Sequence, residues 1–532
     1  MGFLLCFMRL QLANCAENDV NEGNAFSMFR SSLMVSAIAV LASCASFMNQ
    51  LVLARLFGAG GRMDSYLLAI SLPLSATGLA IGVLGYQLVP ALQRAQMRVG
   101  SSDPLVKSLV WALGIIAGVL AVGGILASGP LLRRLAPTMS TEQAAAAVYI
   151  ARIAWLWLPL GVISSIYTAG LHVKMKFVFP TALQSAPIIG SLVFCLLWHR
   201  QLGIYSIAWG QLAGYIALVL GLRAVFGQTL MRIEHRREVY GVLQQLPLAL
   251  AASIVFVIFP ISDAFWGSRI GPATVSYLGY AQRLIVGFSG VAVVGATTVI
   301  FPKLAKHAAV GNDGAFKDNL AVSIRMMLSC MLPAAILLSV FSLTTVQLLF
   351  QRGAFKLEDA YLLATFLPYM LVGMLAMSCT GLIFKALFAG EKLQCAAFLS
   401  LFGALSYFTL SGVFSRLLGG VGVALAYGVC WFLIMAGGLG FLWWGDIVNR
   451  VSANMRFGAR LAIAGLGLLL IGCLGHRFLP DESSANQLLR LLVEVATASV
   501  GGIFYIVVCN TVLAVEEVQI MTRQVFGMLI RT

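Results

Sequence analysis

Charge is scarce in this sequence. Only 10% of its 532 residues are Asp, Glu, Lys or Arg, against about a quarter in a typical water-soluble protein. Hydrophobic residues make up 60% of the chain, and the mean hydropathy is +0.93. These values exclude a soluble enzyme. At about 20 apolar residues per crossing, the chain has enough apolar residues for a dozen or more membrane-spanning helices.

Motifs of catalysis and metal binding are also lacking. The sequence contains no CxxC pair, no HExxH, no P-loop and no GxSxG, and it has only five histidines. Its ten cysteines fall mostly singly inside apolar stretches, where a thiol packs as a small hydrophobic group. We therefore expect no enzyme activity, no metal and no cofactor. Energy from ATP would have to come through a partner subunit.

The net charge of +15 does not indicate nucleic-acid binding, because the basic residues lie in short connections between apolar runs. If the amino terminus is cytoplasmic, 22 Lys and Arg residues lie on that side and 12 on the other, with Arg283 left inside a span. The positive-inside rule then predicts a multi-pass membrane protein with both termini in the cytoplasm. Whether translation starts at Met1 or Met28 is left open.

The apolar runs predict an all-α membrane protein with about 14 transmembrane helices. The expected spans are 31–54, 64–93, 105–128, 144–171, 178–198, 203–222, 242–266, 272–301, 321–350, 359–389, 393–415, 419–444, 458–475 and 486–514.

An internal repeat is visible in two of these spans. DSYLLAISLP at Asp64–Pro73 and DAYLLATFLP at Asp359–Pro368 share seven of ten residues. Each segment predicts a helix that an acid caps and a proline bends, although chance in a chain rich in Leu and Ala would give the same likeness. Related halves are typical of alternating-access transporters, which hold their substrate between the halves. We expect four regions: an amino-terminal extension (1–30), a first six-helix lobe (31–226), a second (227–448), and two carboxy-terminal helices with a tail (449–532).

Charged residues inside a membrane are costly, so each one is a candidate functional residue. Arg283 lies two to three turns into its span. Its planar guanidinium suits phosphate oxygens, so it is either an anion site or a structural group that pairs with Asp263 or with backbone carbonyls.

The other polar candidates have structural alternatives. Asp64 opens its span and is expected to be an N-cap more than a substrate ligand. Asp263 either binds a coupling cation or pairs with Arg269, and we favour the ion pair. Gln87 could line a polar path, but an interhelical hydrogen bond is the commoner use of such a residue.

Two stretches carry a family pattern: FMNQLVLARLFGAGGRMDSYLLAISLP at Phe47–Pro73, and the run from Asp263 to His307 that contains GPATVSYLGYAQRLIVGFSGVAVVGATTVIFPKLAKH. Both resemble the lipid II flippase family (MurJ/MviN) of the multidrug/oligosaccharidyl-lipid/polysaccharide exporter superfamily. The specific marks are Ala54-Arg55, Phe57-Gly58-Ala59-Gly60, Asp64, Gln87, Val89-Pro90, Phe177, Pro180, Val275-Ser276, Tyr280-Ala281, Arg283-Leu284, Ser289-Gly290-Val291 and Pro302.

The resemblance implies two six-helix lobes forming a V around a cationic cavity, and two further helices that line a groove for a polyprenyl tail. It also implies export of a lipid-linked peptidoglycan precursor by alternating access, with the protein in the bacterial inner membrane. The sequence departs from the family at its anion-binding residues: the aligned positions are Ser43, Asn49, Pro73-Leu74 followed by Thr77-Gly78, and Val286. Of that set Asp64 and Arg283 remain, and the eleventh span lacks the acid and amide that some members use for a cation.

The expected function is a flippase for a polyprenyl-pyrophosphate-linked saccharide, with lipid II as the default cargo. Arg283, Asp64 and Arg55 are the expected substrate-binding residues, and Asp263 and Gln87 are coupling or structural residues. A flippase for a lipid-linked exopolysaccharide repeat unit is the main alternative. A cation-coupled drug or metabolite antiporter and a non-transporting scaffold are weaker ones. The partners are the lipid-linked substrate and membrane lipids, with coupling to the membrane potential or a cation gradient left open.

Overall fold

The computed structural model describes residues 22–99, 101–227, 236–289, 313–390, 392–443, 447–477, 487–513, 515, 518 and 519. Almost all of these residues are helical, and none of them lies in a β-strand. The helices in chain order are α1 (Glu22–Phe57), α2 (Gly61–Val99), α3 (Asp103–Leu135), α4 (Thr141–Trp155), α5 (Trp157–Val173), α6 (Val178–Leu183), α7 (Ala186–Leu202), α8 (Tyr205–Phe226), α9 (Arg236–Ser253), α10 (Val255–Ile270), α11 (274–289), α12 (Asp313–Val340), α13 (Ser342–Phe350), α14 (Leu357–Ala389), α15 (Leu393–Leu442), α16 (Ile447–Arg477) and α17 (Gln487–Val507), which a short π-helix (Val508–Val512) extends.

The all-α membrane fold predicted from the apolar runs is confirmed. Within the described residues, 11 helices are long and apolar enough to cross a membrane. The number becomes 12 when α9 and α10, which meet at a bend of 53°, are taken as one broken span. The count of 14 stays a prediction, because 290–301 of the expected eighth span lie outside the described residues.

Two breaks between helices have a local cause. The helix α15 runs for 50 residues, but Gly419 within it has φ +60° and ψ −136°, so two helices meet there across a kink. The sequence predicted a boundary between two spans at 415–419, which is the same point. The α4–α5 break lies at Leu156, three residues before Pro159, where the missing proline N–H and the clash of its ring oppose a continuous helix.

Glycines allow the closest helix packing in the first half of the chain (22–227). A Cβ on Gly190 of α7 would lie 2.3 Å from the backbone oxygen of Gly210 on α8. The two backbones therefore touch directly, which is how small residues bring membrane helices together.

The second half of the chain (236–443) packs around α15, which contacts α9, α10 and α14. The helices α16 and α17 pack on each other and on α12, around a separate cluster that includes Leu468 and Tyr505. The proposed lobe boundary at 226–227 adjoins 228–235, outside the described residues, so the division into lobes stays a prediction. Residues 1–21 of the amino-terminal extension also lie outside the described residues, and Met28 lies within α1.

Candidate functional site

The candidate site lies where the first and second halves of the chain meet. The long helix α2 of the first half packs against both α9 and α10 of the second half. At the end of α2 that carries Asp64, the charge bias predicts the outer face of the membrane, so we call the contacts at this end the outer closure. It joins residues 54–64 and 134–138 to residues 265–280 and 353–355.

Asp64 is the centre of the outer closure. It lies in the first turn of α2 and is 9% exposed. One carboxylate oxygen accepts the Ala273 backbone N–H at 2.6 Å, and the other accepts both the backbone N–H and the hydroxyl of Ser276, at 2.8 and 2.5 Å. These N–H groups belong to the first turn of α11, which has no intrahelical acceptors for them. Asp64 therefore caps α11, and the sequence expectation that it caps its own helix is wrong.

A glycine turn completes the contact next to Asp64. Gly58 has φ +65°, and a Cβ there would lie 2.5 Å from the backbone oxygen of Ala354. Its carbonyl accepts the Tyr280 hydroxyl at 2.9 Å. The backbone oxygen of Arg55 accepts the Ala354 N–H at 2.9 Å, whereas the Arg55 side chain is exposed. Among the described atoms, Arg55 therefore hydrogen bonds across the outer closure through its main chain and not through its guanidinium.

Arg269 joins the two halves at a second point of the outer closure. Arg269 lies in α10 of the second half, and its guanidinium donates to two backbone oxygens of the first half, those of Leu135 at 2.7 Å and Arg134 at 3.0 Å. Nearby, the Thr138 hydroxyl donates to the Ser268 carbonyl at 2.6 Å. Arg269 caps the carboxyl end of α3, where free carbonyls favour a positive charge.

The expected ion pair between Asp263 and Arg269 is not formed. Among the described side chains, the Asp263 carboxylate accepts hydrogen bonds from Gln282 of α11 and Tyr407 of α15. It is 5% exposed, and the Tyr407 ring stacks on Phe259 with centroids 3.9 Å apart. Asp263 is thus a buried junction of three helices of the second half.

Arg283 faces the first half of the chain. Its guanidinium donates to the side-chain oxygen of Gln50 on α1. Among the described residues no carboxylate lies within ion-pair distance of it, so the structural alternative of a pair with Asp263 is wrong. A half-buried guanidinium held by a neutral amide keeps its positive charge uncompensated, as an anion site requires.

Gln87 makes the interhelical hydrogen bond that was the commoner expectation for it. Its amide nitrogen donates to the backbone oxygen of Gln245 at 3.0 Å, joining α2 to α9 towards the other end of the membrane. Its side-chain oxygen is buried and has no partner among the described atoms. Between the two ends, the Ser75 hydroxyl donates to the Val257 carbonyl at 3.2 Å. The halves are thus in contact along the length of α2.

The positions where the family resemblance implied further anion-binding groups are structural or apolar. Asn49 is buried and accepts a hydrogen bond from Ser191 at 3.4 Å within the first half. The Ser43 hydroxyl donates back to the Ala39 carbonyl of its own helix at 2.9 Å. Val286, one turn beyond Arg283, is an aliphatic side chain that is 59% exposed. None of these three supplies a cation.

The sequence did not identify the partners of the candidate residues. Gln50, Ser276 and Tyr407 carry the hydrogen bonds to Arg283, Asp64 and Asp263. The available signal was a polar side chain inside an otherwise apolar span, which Gln50 and Tyr407 both show. The signal for Ser276 was its place at the start of a span.

Comparisons with known sequences agree with this architecture. A family model described as "Lipid II flippase MurJ" matches residues 53–452. The chain is 24% identical to the lipid II flippase MurJ of Burkholderia cenocepacia over 425 residues, which are 76% of this chain and 81% of that protein. It is 22% identical to the probable lipid II flippase MurJ of Bdellovibrio bacteriovorus, over 82% of this chain and 86% of the relative.

Solved structures show the same fold. A structure described as lipid II flippase MurJ in an inward closed conformation superposes with a TM-score of 0.73 at 18% identity, covering 89% of this chain and 99% of that one. An inward-facing multidrug resistance transporter of the MATE family and MOP superfamily superposes with a TM-score of 0.56 at 15% identity, covering 81% and 95%.

Proposed function

Because this chain belongs to the lipid II flippase MurJ family, whose model matches residues 53–452, we propose that it flips a polyprenyl-pyrophosphate-linked saccharide across the bacterial inner membrane. Lipid II is the default cargo. The family consists of transporters and not of catalysts, and the many apolar helices of the chain place it in a membrane.

Arg283 is the observation that carries the proposal. Its guanidinium reaches from the second half of the chain to Gln50 of the first, and the amide leaves its charge uncompensated. A pyrophosphate offers planar pairs of oxygens that a guanidinium can bind in a bidentate manner. Replacing the neutral Gln50 oxygen by a charged phosphate oxygen would strengthen the hydrogen bond, so the substrate can compete for this group.

Alternating access would require the outer closure to open and close. Asp64 holds the first turn of α11, and its negative charge would repel a pyrophosphate, so we assign it to the closure. The proposed roles of Asp64 and Arg55 as direct substrate ligands stay predictions. The outer closure has formed in this structure, which therefore supports a state that is closed to the predicted outer side.

A second cargo has support from the missing cations. Asn49 and Ser43 are engaged within the first half, and Val286 is aliphatic, so fewer charges are available for a pyrophosphate than the family resemblance implies. A flippase for another lipid-linked glycan, such as an exopolysaccharide repeat unit, is the second candidate. Cation coupling at Asp263 has less support, since Tyr407 and Gln282 occupy its carboxylate.

The orientation belongs to the proposal as well. The bias of 22 basic residues against 12 supports two cytoplasmic termini. The outer closure then faces away from the cytoplasm, where the lipid-linked substrate is loaded.

Growth rescue tests the cargo. The chain is expressed in bacteria depleted of their own lipid II flippase, and a knockout of its gene in the native host is examined for loss of a surface glycan. Robust rescue with a lethal knockout would assign lipid II. Weak rescue with loss of a surface glycan, which the missing cations lead us to expect, would assign another lipid-linked saccharide.

A variant separates failure of the cargo from failure of the protein. Arg283→Ala at matched expression should abolish whichever activity the wild-type chain shows. If neither rescue nor a glycan phenotype appears for a correctly inserted wild-type chain, the flippase proposal is wrong.

A further inference from the structure

A cavity of about 500 Å³ is lined by described residues of the first half of the chain alone. All of its lining residues come from α2, α5, α7, α8 and the turn between α6 and α7. Its volume is within the 300–1,000 Å³ that is usual for ligand sites. None of the described residues beyond Leu218 lines it, so it is distinct from the region around Arg283.

Polar side chains without partners converge on this cavity. The Tyr215 side chain is only 7% exposed, and its hydroxyl makes no hydrogen bond to any described residue, nor do the side chains of Thr168, His172 and Gln184. The Tyr215 ring is held by stacking on Trp157, with centroids 6.3 Å apart. These groups are therefore free to hydrogen bond to a ligand, or to water, in the cavity.

The floor of the cavity is formed by glycine. Gly82 and Gly85 of α2 line it, and a Cβ built on either would meet no atom within 4 Å. The missing side chains leave room for a ligand against the helix backbone. The same helix turns Gln87 towards α9, so α2 separates the cavity from the second half of the chain.

The lining chemistry selects the class of ligand. Among the described residues that line the cavity there is no Asp, Glu, Lys or Arg, which disfavours a phosphate or a metal cation. Lys174, just beyond His172, is already paired with Asp103 at 2.8 Å. A purely apolar ligand would leave the Tyr215 hydroxyl unsatisfied. Groups that both donate and accept hydrogen bonds, set between apolar walls, match an uncharged polyhydroxylated molecule.

We propose that this cavity is a second binding site that takes the uncharged saccharide portion of the lipid-linked substrate. The inference rests on the proposed function, and it adds a site for the glycan to the region around Arg283 that would take the pyrophosphate. It gives the chain a means of holding its cargo that does not depend on the missing cations.

A direct binding measurement tests the site. The chain is placed in phospholipid nanodiscs, because maltoside detergents are themselves polyhydroxylated. Binding of the neutral disaccharide N,N′-diacetylchitobiose is then followed by saturation-transfer NMR. We expect saturable binding that Gly85→Leu, which fills the cavity, weakens at least about tenfold. Tyr215→Phe, which removes one hydrogen-bonding group, should weaken it by roughly 2- to 10-fold.

The matched control is Gly123→Leu on α3, an exposed glycine that also has no atom within 4 Å of a built Cβ. It should leave binding unchanged. Absence of saturable binding, or equal binding by wild type and Gly85→Leu, would overturn the inference. If Gly85→Leu does not insert, the fall in affinity with Tyr215→Phe decides.

Competition identifies the source of the saccharide. A polyprenyl-pyrophosphate disaccharide should displace the free disaccharide, and polyprenyl pyrophosphate without sugar should not. Failure of the glycolipid to compete would assign the site to a free saccharide and overturn the proposed role in cargo binding. Export of the lipid-linked substrate without disaccharide binding would refute the glycan site and leave the proposed function intact. Disaccharide binding without export would refute the proposed function and leave the saccharide site intact.

Discussion

Replacing Asp64 by Asn should open the outer closure. The carboxylate accepts three hydrogen bonds from Ala273 and Ser276, at 2.5 to 2.8 Å. Hydrogen bonds to charged groups contribute about 1.5–3 kcal/mol and neutral ones about 0.5–1.5 kcal/mol. The Asn oxygen can keep the two Ser276 bonds, each weaker by about 1 kcal/mol, whereas its NH2 group cannot accept the Ala273 N–H, so that bond is lost at a cost of about 1.5–3 kcal/mol. The lost charge at the amino terminus of α11 removes a further 0.3–1 kcal/mol or so.

The sum is about 4–6 kcal/mol, which lowers the ratio of closed to open forms by roughly three to four powers of ten. The assay is pulsed electron resonance between spin labels on Arg62→Cys and Glu358→Cys, two exposed positions on either side of the closure, in a chain whose native cysteines are replaced. Asp64→Asn should add a longer-distance population.

Asp103→Asn is the matched control. It removes the ion pair between Asp103 and Lys174, a contact within the first half of the chain, and should leave the label distances unchanged. If Asp64→Asn inserts normally and its distance distribution equals that of the wild type, the carboxylate does not hold the closure and the reasoning is refuted.

Three further predictions concern single contacts and the topology. Gly58→Ala should weaken the outer closure in the same label experiment, because its Cβ would lie 2.5 Å from the Ala354 oxygen; an unchanged distance distribution would contradict this. Asp263→Ala should lower the free energy of unfolding in detergent by about 1–2 kcal/mol, because the buried Tyr407 hydroxyl loses its acceptor. Tyr407→Phe should lower it by less. Equal stability of wild type and Asp263→Ala would show that the junction is unimportant. A cysteine placed in the connection 226–240 should be inaccessible to an impermeant reagent added to intact cells, and labelling there would reverse the topology.

The apolar runs predicted most of the helices because the membrane requires each span to be long and continuous. The repeat at Asp64 and Asp359 shows where such local reasoning ends. Asp359 caps its own helix, accepting the Lys356 N–H at 2.8 Å, as a local pattern predicts. Asp64 instead caps α11, and its hydrogen-bond partner Ala273 lies 209 residues further along the chain. Only the packing of the two halves decides which helix end the carboxylate meets, and that information is not local.

The Asp359 carboxylate also accepts the Tyr277 hydroxyl at 2.8 Å. Both repeat acids therefore hold the start of α11, a convergence that neither repeat shows by itself. It follows from the packing of α2 and α14 on the two sides of one helix end.

The mistaken ion pair between Asp263 and Arg269 has a simple geometric reason. Residues six apart on one helix differ by about 240° around its axis, whereas residues three or four apart face the same way. The Asp263 side chain accordingly meets α11 and α15, and the Arg269 side chain reaches the end of α3. The helical period was available in the sequence, but the identity of the neighbouring helices was not.

The account depends most directly on Arg283, and flipping by the purified chain tests it. Proteoliposomes receive a fluorescent polyprenyl-pyrophosphate disaccharide, and a membrane-impermeant quencher measures how much reaches the opposite leaflet. Wild type and Gln50→Ala should both flip the lipid, since Gln50 only holds the guanidinium at rest. Arg283→Ala should match protein-free vesicles, and Arg283→Lys should retain a little activity because it keeps the charge without the planar fork. Flipping by Arg283→Ala at the wild-type rate would contradict the account.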